Sequence, residues 1–320
     1  SQFITQGPTI ETFENLIIKK FSCRYSIAVN SATSALHLSC LALDLSPEDS
    51  LWTVSNSFVA SANCGRYCGA EIDFVDIDPK TGLMCIDNLK TKLAEAKKTN
   101  RLPKIVIPVH LSGTSCDMAS ISELAKIYGF KIIEDASHAV GGKYKGDYIG
   151  NCKYSSITIF SFHPVKIITT GEGGVATTND SNIYEKLKIL RTHGIVKEKS
   201  KFTQIPNGPW HYEQQILGWN YRMTDIHAAL GISQFKRLDE ICEKRNFLLK
   251  RYKENIITEK ISFLEIPLDC ISSVHLCIIK LKMLDSSIHR KFFEYFIKEN
   301  IGVQLHYTPI HLQPYYINLG

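Results

Sequence analysis

The sequence predicts an α/β fold in which helices cover both faces of a central sheet. From Tyr25 onward, short apolar segments of strand type alternate with amphipathic segments of helix type. This alternation is typical of a sheet that is covered on both faces. The chain is 320 residues long, which is enough for one large domain and a smaller one.

The predicted elements follow one another in a regular order up to Glu134. Apolar, β-branched segments are predicted as strands, and segments with apolar residues at helical spacing are predicted as helices. The strands are Tyr25–Val29, Leu51–Val54, Ile72–Val75, Lys104–Val109 and Lys131–Glu134, and the helices are Ala32–Leu43, Phe58–Tyr67, Asn88–Lys98 and Ser120–Tyr128. In such sheets, ligands bind beyond the carboxyl ends of the strands, so we expect functional residues at that edge.

One lysine lies on a short loop between two predicted strands. The run Ile157–Phe160 is β-branched and aromatic, Pro164 ends it, and Lys166 follows before the GEGG turn at 171–174 and a strand at Val175–Thr178. Proline has no N–H to donate to a ladder, and glycine lets the backbone approach a ligand closely. A lysine with a chemical role needs a site that desolvates it or an aldehyde with which it condenses. The alternative is an ordinary surface lysine.

A small and hydroxylated segment, NSATSAL from Asn30 to Leu36, opens the helix after the first strand. A helix N-terminus offers free N–H groups and the positive end of the helix dipole, and hydroxyl groups add donors. Ala32 and Thr33 would therefore suit a phosphate. The alternative is that this segment is simply an N-cap, which serine and threonine also favour.

A carboxylate and an aromatic ring are predicted at the same edge of the sheet. Asp135 follows the strand Lys131–Glu134, and it would either form a charge-assisted hydrogen bond with a pyridinium N–H or cap the next turn. His138, taken alone, is typical of a core or supporting histidine. Phe58 would either stack on a flat ring or lie in the core. A phosphate site, an aromatic ring, a carboxylate and a lysine are together the parts that pyridoxal phosphate (PLP) requires.

Five motifs resemble one protein family. NSATSAL, SFVASANC, EDASHAVGG, SFHPVKIITTGEGG and LGWNYRMTDIHAALGISQFKRLD are similar to the DegT/DnrJ/EryC/StrS sugar aminotransferases, and the likeness runs through nearly the whole chain. These are fold-type I PLP-dependent enzymes. The resemblance implies a large domain with a mixed sheet between helix layers (1–238) and a small C-terminal α+β domain (239–320). Family members extend beyond both ends of this sequence, which implies that the small domain is incomplete here.

The resemblance also implies roles for the candidate residues. Lys166 would form the Schiff base with the cofactor and later move the proton. The other cofactor-binding residues would be Ala32, Thr33 and Ser161 at the phosphate, Phe58 on the ring, Asp135 at the pyridinium nitrogen, His138 near the ring oxygen, and Asn220 from the partner subunit of an obligate homodimer.

The SFHPVK and EQQILGWNYRMTD segments most resemble a branch with a defined substrate. That branch moves an amino group from an amino acid, glutamate in our expectation, to C4 of a UDP-linked 4-keto-6-deoxy-N-acetylhexosamine. Arg222 would bind the carboxylate of the donor, since a planar guanidinium suits that geometry. The sugar nucleotide would contact Gln2, Phe3, Ile4, Thr5, Gln304, Leu305, His306 and Tyr307.

Four alternatives to this function differ in how well they fit the sequence. Another nucleotide keto-sugar and a catalytically silent PLP-binding regulator both stay open. A dinucleotide-dependent oxidoreductase would fit the alternating elements, but the sequence lacks a G-x-G-x-x-G after the first strand. A related branch that dehydrates its substrate has histidine in place of the lysine, so Lys166 argues against it.

The second half of the chain is predicted to contain a linking helix and a small lobe. A helix over Met223–Lys250, with Thr224 as its N-cap, would connect the two domains. Beyond it we expect strands at Val274–Lys282 and Gly302–Leu305 and a helix at Ser287–Lys298. Such a lobe would close over the site.

Composition argues against several other classes of protein. The residues are 44% apolar and 22% charged, as in ordinary globular proteins, and no apolar run approaches the ~18 residues that span a bilayer. The ten cysteines are scattered, which indicates reduced thiols of a cytoplasmic protein. Cys64 and Cys68 are one helical turn apart without a second ligand pair, so we expect no metal. The net charge of +5 is mild, and no nucleic-acid motif is present.

Overall fold

The computed structural model describes residues 4–282 and 286–320, and a mixed β-sheet forms its centre. Numbered in chain order, the strands of the described residues are β1 (Tyr25–Val29), β2 (Ser50–Val54), β3 (Glu71–Val75), β4 (Ile105–Ile107), β5 (Lys131–Asp135), β6 (Lys143–Tyr144), β7 (Asp147–Tyr148), β8 (Ile157–Ser161), β9 (Gly174–Thr178), β10 (Ile195–Val196), β11 (Glu213–Gln214), β12 (Ile261–Phe263), β13 (Cys270–Ile271) and β14 (Ile279–Leu281). The strand order of the central sheet is β1-β9-β8-β5-β4-β2-β3.

The direction of the strands brings several strand ends to one edge of this sheet. The strands β3, β2, β4, β5 and β8 are parallel, whereas β9 is antiparallel to both of its neighbours, β8 and β1. Gly174, the first residue of β9, pairs with Val29 at the end of β1 and with Ser161 at the end of β8. The carboxyl ends of β1 and β8 therefore meet the start of β9, and the end of β5 lies beside β8 at the same edge.

Helices cover both faces of the sheet. The helices of the described residues are α1 (Pro8–Phe21), α2 (Ala32–Ala42), α3 (Ala60–Tyr67), α4 (Ile86–Lys98), α5 (Met118–Tyr128), α6 (Ser181–Leu190), α7 (Asp225–Phe235), α8 (Leu238–Asn255), α9 (Ser286–Lys298) and α10 (Pro314–Ile317). Successive residues of a strand point to opposite faces. Accordingly, Ile105 and Ile107 pack with α2 and α3, while Val106 packs with α4 and α5. The predicted α/β fold with a large mixed sheet is confirmed.

The elements predicted before Asp135 are all present, and none of their ends differs from the prediction by more than two residues. Further along the chain, α9 corresponds to the helix predicted at Ser287–Lys298. Thr224 is the N-cap of α7, as predicted, because its side chain accepts a hydrogen bond from His227 N (3.2 Å).

Helix α1 has no counterpart among the predicted elements. Its first turn is capped by Asp225, whose carboxylate oxygens accept hydrogen bonds from Gly7 N (2.7 Å) and Thr9 N (3.2 Å). The ring of Phe13 on its inner face packs edge-on against Phe235 of α7, with ring centroids 6.4 Å apart. The cap is 218 positions from Gly7 in sequence, so no local pattern indicates where this helix begins.

The single long helix predicted over Met223–Lys250 is wrong. Lys236 and Arg237 interrupt it, and Arg237 has φ −103° and ψ 3°, outside the helical region. The interruption lets Phe235 and Leu238, on the two sides of the break, pack into the same core cluster as α1. Tertiary packing thus overrides a continuous helical pattern.

Of the two strands predicted in the C-terminal part, one is shorter than predicted, and the other is not found among the described residues. Of the segment Val274–Lys282, only Ile279–Leu281 pairs, as β14 with β12. His275 N donates to Ser112 O (2.8 Å), so the preceding backbone is bonded to a turn instead of a strand. The segment Gly302–Leu305 has no strand pairing among the described residues, and its end lines a cavity.

The division into two domains at residue 239 stays a prediction. The C-terminal part contacts the sheet-bearing part at separate places, since β13 pairs with β6, and Tyr316 of α10 donates a hydrogen bond to Asn63 Oδ1 of α3 (2.7 Å). Within residues 4–282 and 286–320, no helix combines the length and the apolar character needed to cross a membrane.

Candidate active site

A cavity of about 440 Å³ opens at the carboxyl edge of the central sheet. This volume is in the range of small-molecule sites. The predicted site residues that line it are Ala32, Thr33, Phe58, Asp135, His138, Ser161, Lys166, Gln304, Leu305, His306 and Tyr307. They come from segments that are far apart in sequence, and the fold brings them together.

Lys166 lies on the loop between β8 and β9, and backbone hydrogen bonds fix this loop. Phe162 N donates to Gly173 O (2.9 Å), and Thr170 N donates to Phe162 O (2.9 Å). Ile167, directly after the lysine, is buried in the core cluster that contains α1. The side chain of Lys166 is half-buried and lines the cavity, which argues against an ordinary surface lysine.

The cavity changes the protonation of Lys166. Burial lowers the pKa of this amine from its ordinary value of 10.5, because the ammonium form loses solvation, while the charge of Asp135 acts in the opposite direction. A lowered pKa increases the fraction of neutral amine at physiological pH. The neutral amine is the form that attacks an aldehyde or accepts a proton.

The first turn of α2 forms the cavity wall beside β9. Ser31 is the N-cap, since its Oγ accepts from Ser34 N (3.1 Å), and Ser34 Oγ in turn donates to Asn30 Oδ1 (2.6 Å). Ala32 and Thr33 line the cavity in the first turn, where N–H groups lack partners within the helix. The segment is therefore an N-cap and also offers the free donors and the dipole that favour an anion.

Gly174 allows β9 to approach this helix start. A Cβ atom on Gly174 would lie 2.5 Å from Ala32 N and 2.5 Å from Ser31 C. Both are backbone atoms, so a side chain at this position would displace the first turn of α2. The last glycine of the GEGG turn is thus required for the close contact between the strand and the helix.

We expect Gly174→Ala to raise the Kd for PLP about tenfold or more, because the displaced first turn no longer presents its N–H groups to the phosphate. Titration of the unloaded protein with PLP, followed by absorbance, measures the change. Gly302→Ala is the matched control, since a Cβ there meets no atom within 4 Å. An unchanged Kd in Gly174→Ala would show that the helix start does not bind the phosphate.

Asp135 ends β5 and is buried, with 5% of its surface exposed. Ser61 Oγ donates to Oδ2 (2.6 Å), and Ser137 N donates to Oδ1 (3.0 Å). A carboxylate has about four acceptor positions, so these two donors leave room for another from the cavity. A positively charged N–H is the donor to which a carboxylate bonds most strongly.

Phe58 is 58% exposed, although large aromatic side chains are usually buried. It lines the cavity, with its ring centroid 6.2 Å from that of Tyr307. The alternative that Phe58 belongs to the core is therefore wrong. An aromatic face at the cavity can stack on a flat ring.

His138 lines the cavity and lies against a second buried histidine, His275. The ring centroids of His138 and His275 are 4.4 Å apart. Burial lowers the pKa of both rings, to about 3 for His275, and the charge of Lys166 lowers them further. Both rings are therefore neutral at physiological pH. His275 and Ser61 were missed by sequence reasoning, because each acts on a residue that is distant in sequence and neither belongs to a recognisable spacing.

The other predicted site residues fall into two groups. Ile4, Thr5, Asn220 and Arg222 are not among the described residues that line the cavity, and Gln2 and Phe3 lie outside the described residues. Asn220 is exposed and forms an antiparallel bridge with Thr192. A position at the surface is compatible with action in a partner subunit, and that action stays a prediction.

The residues of this cavity fit PLP. Lys166 offers an amine with a lowered pKa for the aldehyde, and the first turn of α2 offers free donors for the phosphate. Asp135 retains acceptor capacity for the pyridinium N–H. Together with the α/β fold, these groups define a PLP-dependent enzyme.

Residues 1–320 match the sequence pattern of the DegT/DnrJ/EryC1/StrS aminotransferase family, and the chain belongs to this family. It is therefore a PLP-dependent sugar aminotransferase. Among solved structures, the PLP form of Spr1654 from Streptococcus pneumoniae has a TM-score of 0.88 and 28% identity, over 100% of this chain and 82% of that one. Helicobacter pylori PseC, an aminotransferase involved in the biosynthesis of pseudoaminic acid, has a TM-score of 0.89 and 30% identity, over 100% and 82% of the two chains.

Two sequence relatives have more specific names. The UDP-4-amino-4,6-dideoxy-N-acetyl-beta-L-altrosamine transaminase of Campylobacter jejuni subsp. jejuni serotype O:23/36 is 36% identical over 319 residues, which cover 99% of this chain and 81% of that protein. The GDP-perosamine synthase of Escherichia coli O157:H7 is also 36% identical, over 252 residues that cover 79% of this chain and 64% of that protein.

Proposed function

We propose that the protein transfers an amino group from L-glutamate to C4 of a UDP-linked 4-keto-6-deoxy-N-acetylhexosamine, giving UDP-4-amino-4,6-dideoxy-N-acetyl-beta-L-altrosamine. The observation that carries the reaction type is the single cavity in which Lys166, Asp135 and the first turn of α2 meet. The name of the Campylobacter relative supports the choice of substrate, and the Helicobacter neighbour supports a place in pseudaminic acid biosynthesis.

The cofactor is held by groups from separate elements. When bound, PLP supplies an aldehyde that captures amines and a pyridinium ring that withdraws electrons from them. Asp135 would accept a hydrogen bond from the pyridinium N–H and favour the protonated form of that nitrogen. Ala32, Thr33 and Ser161 would bind the phosphate, and Phe58 would contact the ring. His138 would lie near the ring oxygen.

Lys166 has two tasks. Its amine would hold the cofactor through the aldehyde, and its free Nζ would accept and return the proton that moves during amino transfer. The second task requires a neutral amine, which the burial of Lys166 favours by lowering its pKa. The neutral rings of His138 and His275 add no competing charge.

The substrates contact the outer wall of the cavity. Gln304, Leu305, His306 and Tyr307 face the sugar nucleotide. Ile4 and Thr5 do not line this cavity, and their proposed contact with the sugar nucleotide stays a prediction. Gln2 and Phe3, for which the same contact is predicted, lie outside the described residues. Arg222 is the proposed partner of the donor's carboxylate, although it does not line the cavity of its own chain.

The active form is a homodimer in which Asn220 of each subunit serves the site of the other. The segment before Asn220 supports this, because it exposes large apolar side chains, including Ile205, Leu217 and Trp210, the last with 72% of its surface accessible. Apolar residues exposed in this way often mark protein–protein contacts. A cytoplasmic location is supported by the cysteines, all ten of which are free thiols.

A second candidate is the same chemistry on another nucleotide keto-sugar. The Escherichia coli relative, named for a GDP-linked product, is as similar over the part that it matches. Both substrates would require the same lysine, carboxylate and phosphate site, and they would differ at the outer wall.

Incubation of the PLP-loaded protein with L-glutamate and a panel of keto-sugar nucleotides tests the proposal. We expect the amino sugar, detected by mass spectrometry, only from the UDP-linked 4-keto-6-deoxy-N-acetyl sugar, together with an equal amount of 2-oxoglutarate. Product from a GDP-linked keto-sugar alone would favour the second candidate. A protein that binds PLP but consumes no glutamate and aminates no sugar would be a catalytically silent regulator.

A further inference from the structure

The hydroxyl group of Tyr307 ends a chain of hydrogen bonds that begins at the backbone of Ser112. Ser112 N lies 3.4 Å from His138 Nδ1, and His138 Nε2 lies 3.3 Å from Tyr307 Oη. His138 and Tyr307 both line the cavity that contains Lys166. Ser112 belongs to the short 3₁₀ turn Leu111–Gly113.

The direction of each bond follows from the chemistry of its donor. A backbone N–H can only donate, so His138 Nδ1 accepts and carries no proton. The ring is neutral, because burial first, and then the charges of Lys166, His275 and His306, lower its pKa well below 6.5. The one ring proton is therefore on Nε2, which donates to Tyr307 Oη. The phenolic hydrogen of Tyr307 remains available for another acceptor.

Hydrogen bonds to the C-terminal part of the protein fix the Ser112 N–H, which is the first donor in this series of hydrogen bonds. Ser112 has φ 62°, a left-handed conformation that is uncommon outside glycine. His275 N donates to Ser112 O (2.8 Å), Ser112 Oγ donates to Leu276 O (2.5 Å), and Ser273 N donates to Gly113 O (3.1 Å). These three bonds hold the turn so that the Ser112 N–H points at His138.

Tyr307 keeps its proton over the working range of pH. Burial, and then the charge of Asp135, raise its pKa to about 12. Among the described residues, His138 Nε2 is the hydrogen-bond partner of its hydroxyl group. Because that bond uses an oxygen lone pair of Tyr307, the O–H is left without an acceptor from the described part of the chain.

We propose that Tyr307 is a hydrogen-bond donor to an oxygen atom of the bound molecules, and that the Ser112 N–H and His138 are positioning groups that hold it in that role. This rests on the proposed function, since the acceptor belongs to the cofactor or the sugar. The ring proton of His138, which the resemblance would direct at the cofactor's ring oxygen, is taken by Tyr307. Tyr307 is thus the residue that presents a hydrogen to the cavity.

Two oxygen atoms have the required chemistry. The ring oxygen of PLP is anionic, and the keto oxygen of the sugar is a carbonyl acceptor at the carbon that receives the amine. A donor that the protein holds in place stabilises charge on either oxygen without reorganising during the reaction. The two sources are separated by measuring the cofactor-loaded protein before and after the sugar is added.

The tautomer of His138 can be tested without cofactor or substrate. Nitrogen-15 NMR of histidine-labelled, PLP-free protein, with His138 assigned from His138→Asn, is expected to show a protonated Nε2 and an unprotonated Nδ1 at pH 7.5. In Tyr307→Phe, the Nε2 signal is expected to shift, because its acceptor is lost. A protonated Nδ1 would overturn the proposal, whichever sugar is the substrate.

Tyr307→Phe removes only the hydroxyl group, and Tyr316→Phe is the matched control, because the hydroxyl of Tyr316 is bonded to Asn63 outside the cavity lining. If the acceptor is the ring oxygen, the pH midpoint of the cofactor's visible absorption rises by about one unit in Tyr307→Phe, because an anionic oxygen loses a donor. If the acceptor is the keto oxygen, this midpoint is unchanged, and kcat/KM for the sugar falls about ten- to a hundredfold while the glutamate half-reaction keeps its rate.

Either result supports the donor role of Tyr307 and identifies its acceptor. A midpoint and a kcat/KM that both equal those of Tyr316→Phe would overturn the proposal. The NMR measurement and the absorption midpoint need no sugar, so an error in the proposed sugar substrate is distinguishable from an error in the role of Tyr307.

Discussion

Lys166→Ala is expected to abolish amino transfer and to leave the protein folded. Removing a group that transfers a proton lowers a rate by about 10²–10⁴-fold, and this variant also loses the covalent attachment of the cofactor. Formation of 2-oxoglutarate from glutamate measures the rate. Borohydride reduction followed by mass spectrometry of the peptide that contains position 166 measures the attachment.

Two further variants make this test specific. Lys166→Arg keeps a positive charge at the site but is not expected to attach the cofactor, because an arginine side chain stays protonated. Lys153→Ala is the control for loss of a lysine, since Lys153 is at the surface, where it pairs with Asp147 (2.9 Å). Cofactor still attached to the chain in Lys166→Ala would assign the chemistry to another lysine.

The lowered pKa of Lys166 also gives a stability effect with a defined sign. In the unfolded chain the amine has its ordinary pKa of 10.5, whereas burial in the folded protein disfavours the charged form. Lys166 therefore destabilises the unloaded fold at neutral pH, and this effect declines as the pH rises toward 10.5. Unloaded Lys166→Met is accordingly expected to unfold at a higher temperature than the unsubstituted protein at pH 7.5, with a smaller difference at pH 10.

Asp135→Asn is expected to cause the second largest loss of amino-transfer activity, after Lys166→Ala. The amide is nearly isosteric, but it carries no charge to balance a pyridinium, and a hydrogen bond to a charged group contributes about 1.5–3 kcal/mol. We expect the Kd for PLP to rise about ten- to a hundredfold. The rate of transfer should fall further, because the pyridine nitrogen no longer stays protonated. Equilibrium titration with PLP and single-turnover reaction with glutamate separate the two effects.

Ser61→Ala leaves the charge of Asp135 in place and removes a hydrogen bond that orients it, so this variant separates the effect of the charge on PLP binding from the effect of the orientation. Ser61 Oγ donates to Asp135 Oδ2 (2.6 Å), and deleting this neutral hydrogen bond typically changes a free energy by about 1 kcal/mol. A loss of less than about tenfold in PLP affinity is therefore expected. If Asp135→Asn retains the full rate of transfer, another group must bind the pyridine nitrogen.

Local patterns in the sequence were sufficient to predict which residues at or after the ends of strands belong to the site. Asp135 ends one apolar strand and Lys166 lies on the loop after another, and the carboxyl ends of parallel strands share an edge of the sheet, so their convergence could be predicted. The helix start at Ala32 was recognisable for the same reason, because capping residues are local. The family resemblance then supplied the roles of these residues.

Contacts between residues that are far apart in the sequence could not be predicted in this way. Ser61 reaches Asp135 across 74 positions, and Asp225 caps α1 across 218 positions. Neither pair has a sequence spacing that indicates a contact. The break at Arg237 was missed because the helical pattern continues through it, while the packing on its two sides does not allow a straight helix.

The placement of β9 has a consequence for redesign of this enzyme. The end of β1, which leads to the proposed phosphate-binding turn, and the end of β8, which leads to the lysine loop, are each paired with Gly174. Their separation is therefore two inter-strand distances, about 10 Å, and the peptide groups alone define it. We therefore expect that residues of the proposed sugar-binding wall can be exchanged without altering the distance between the two proposed anchors of the cofactor.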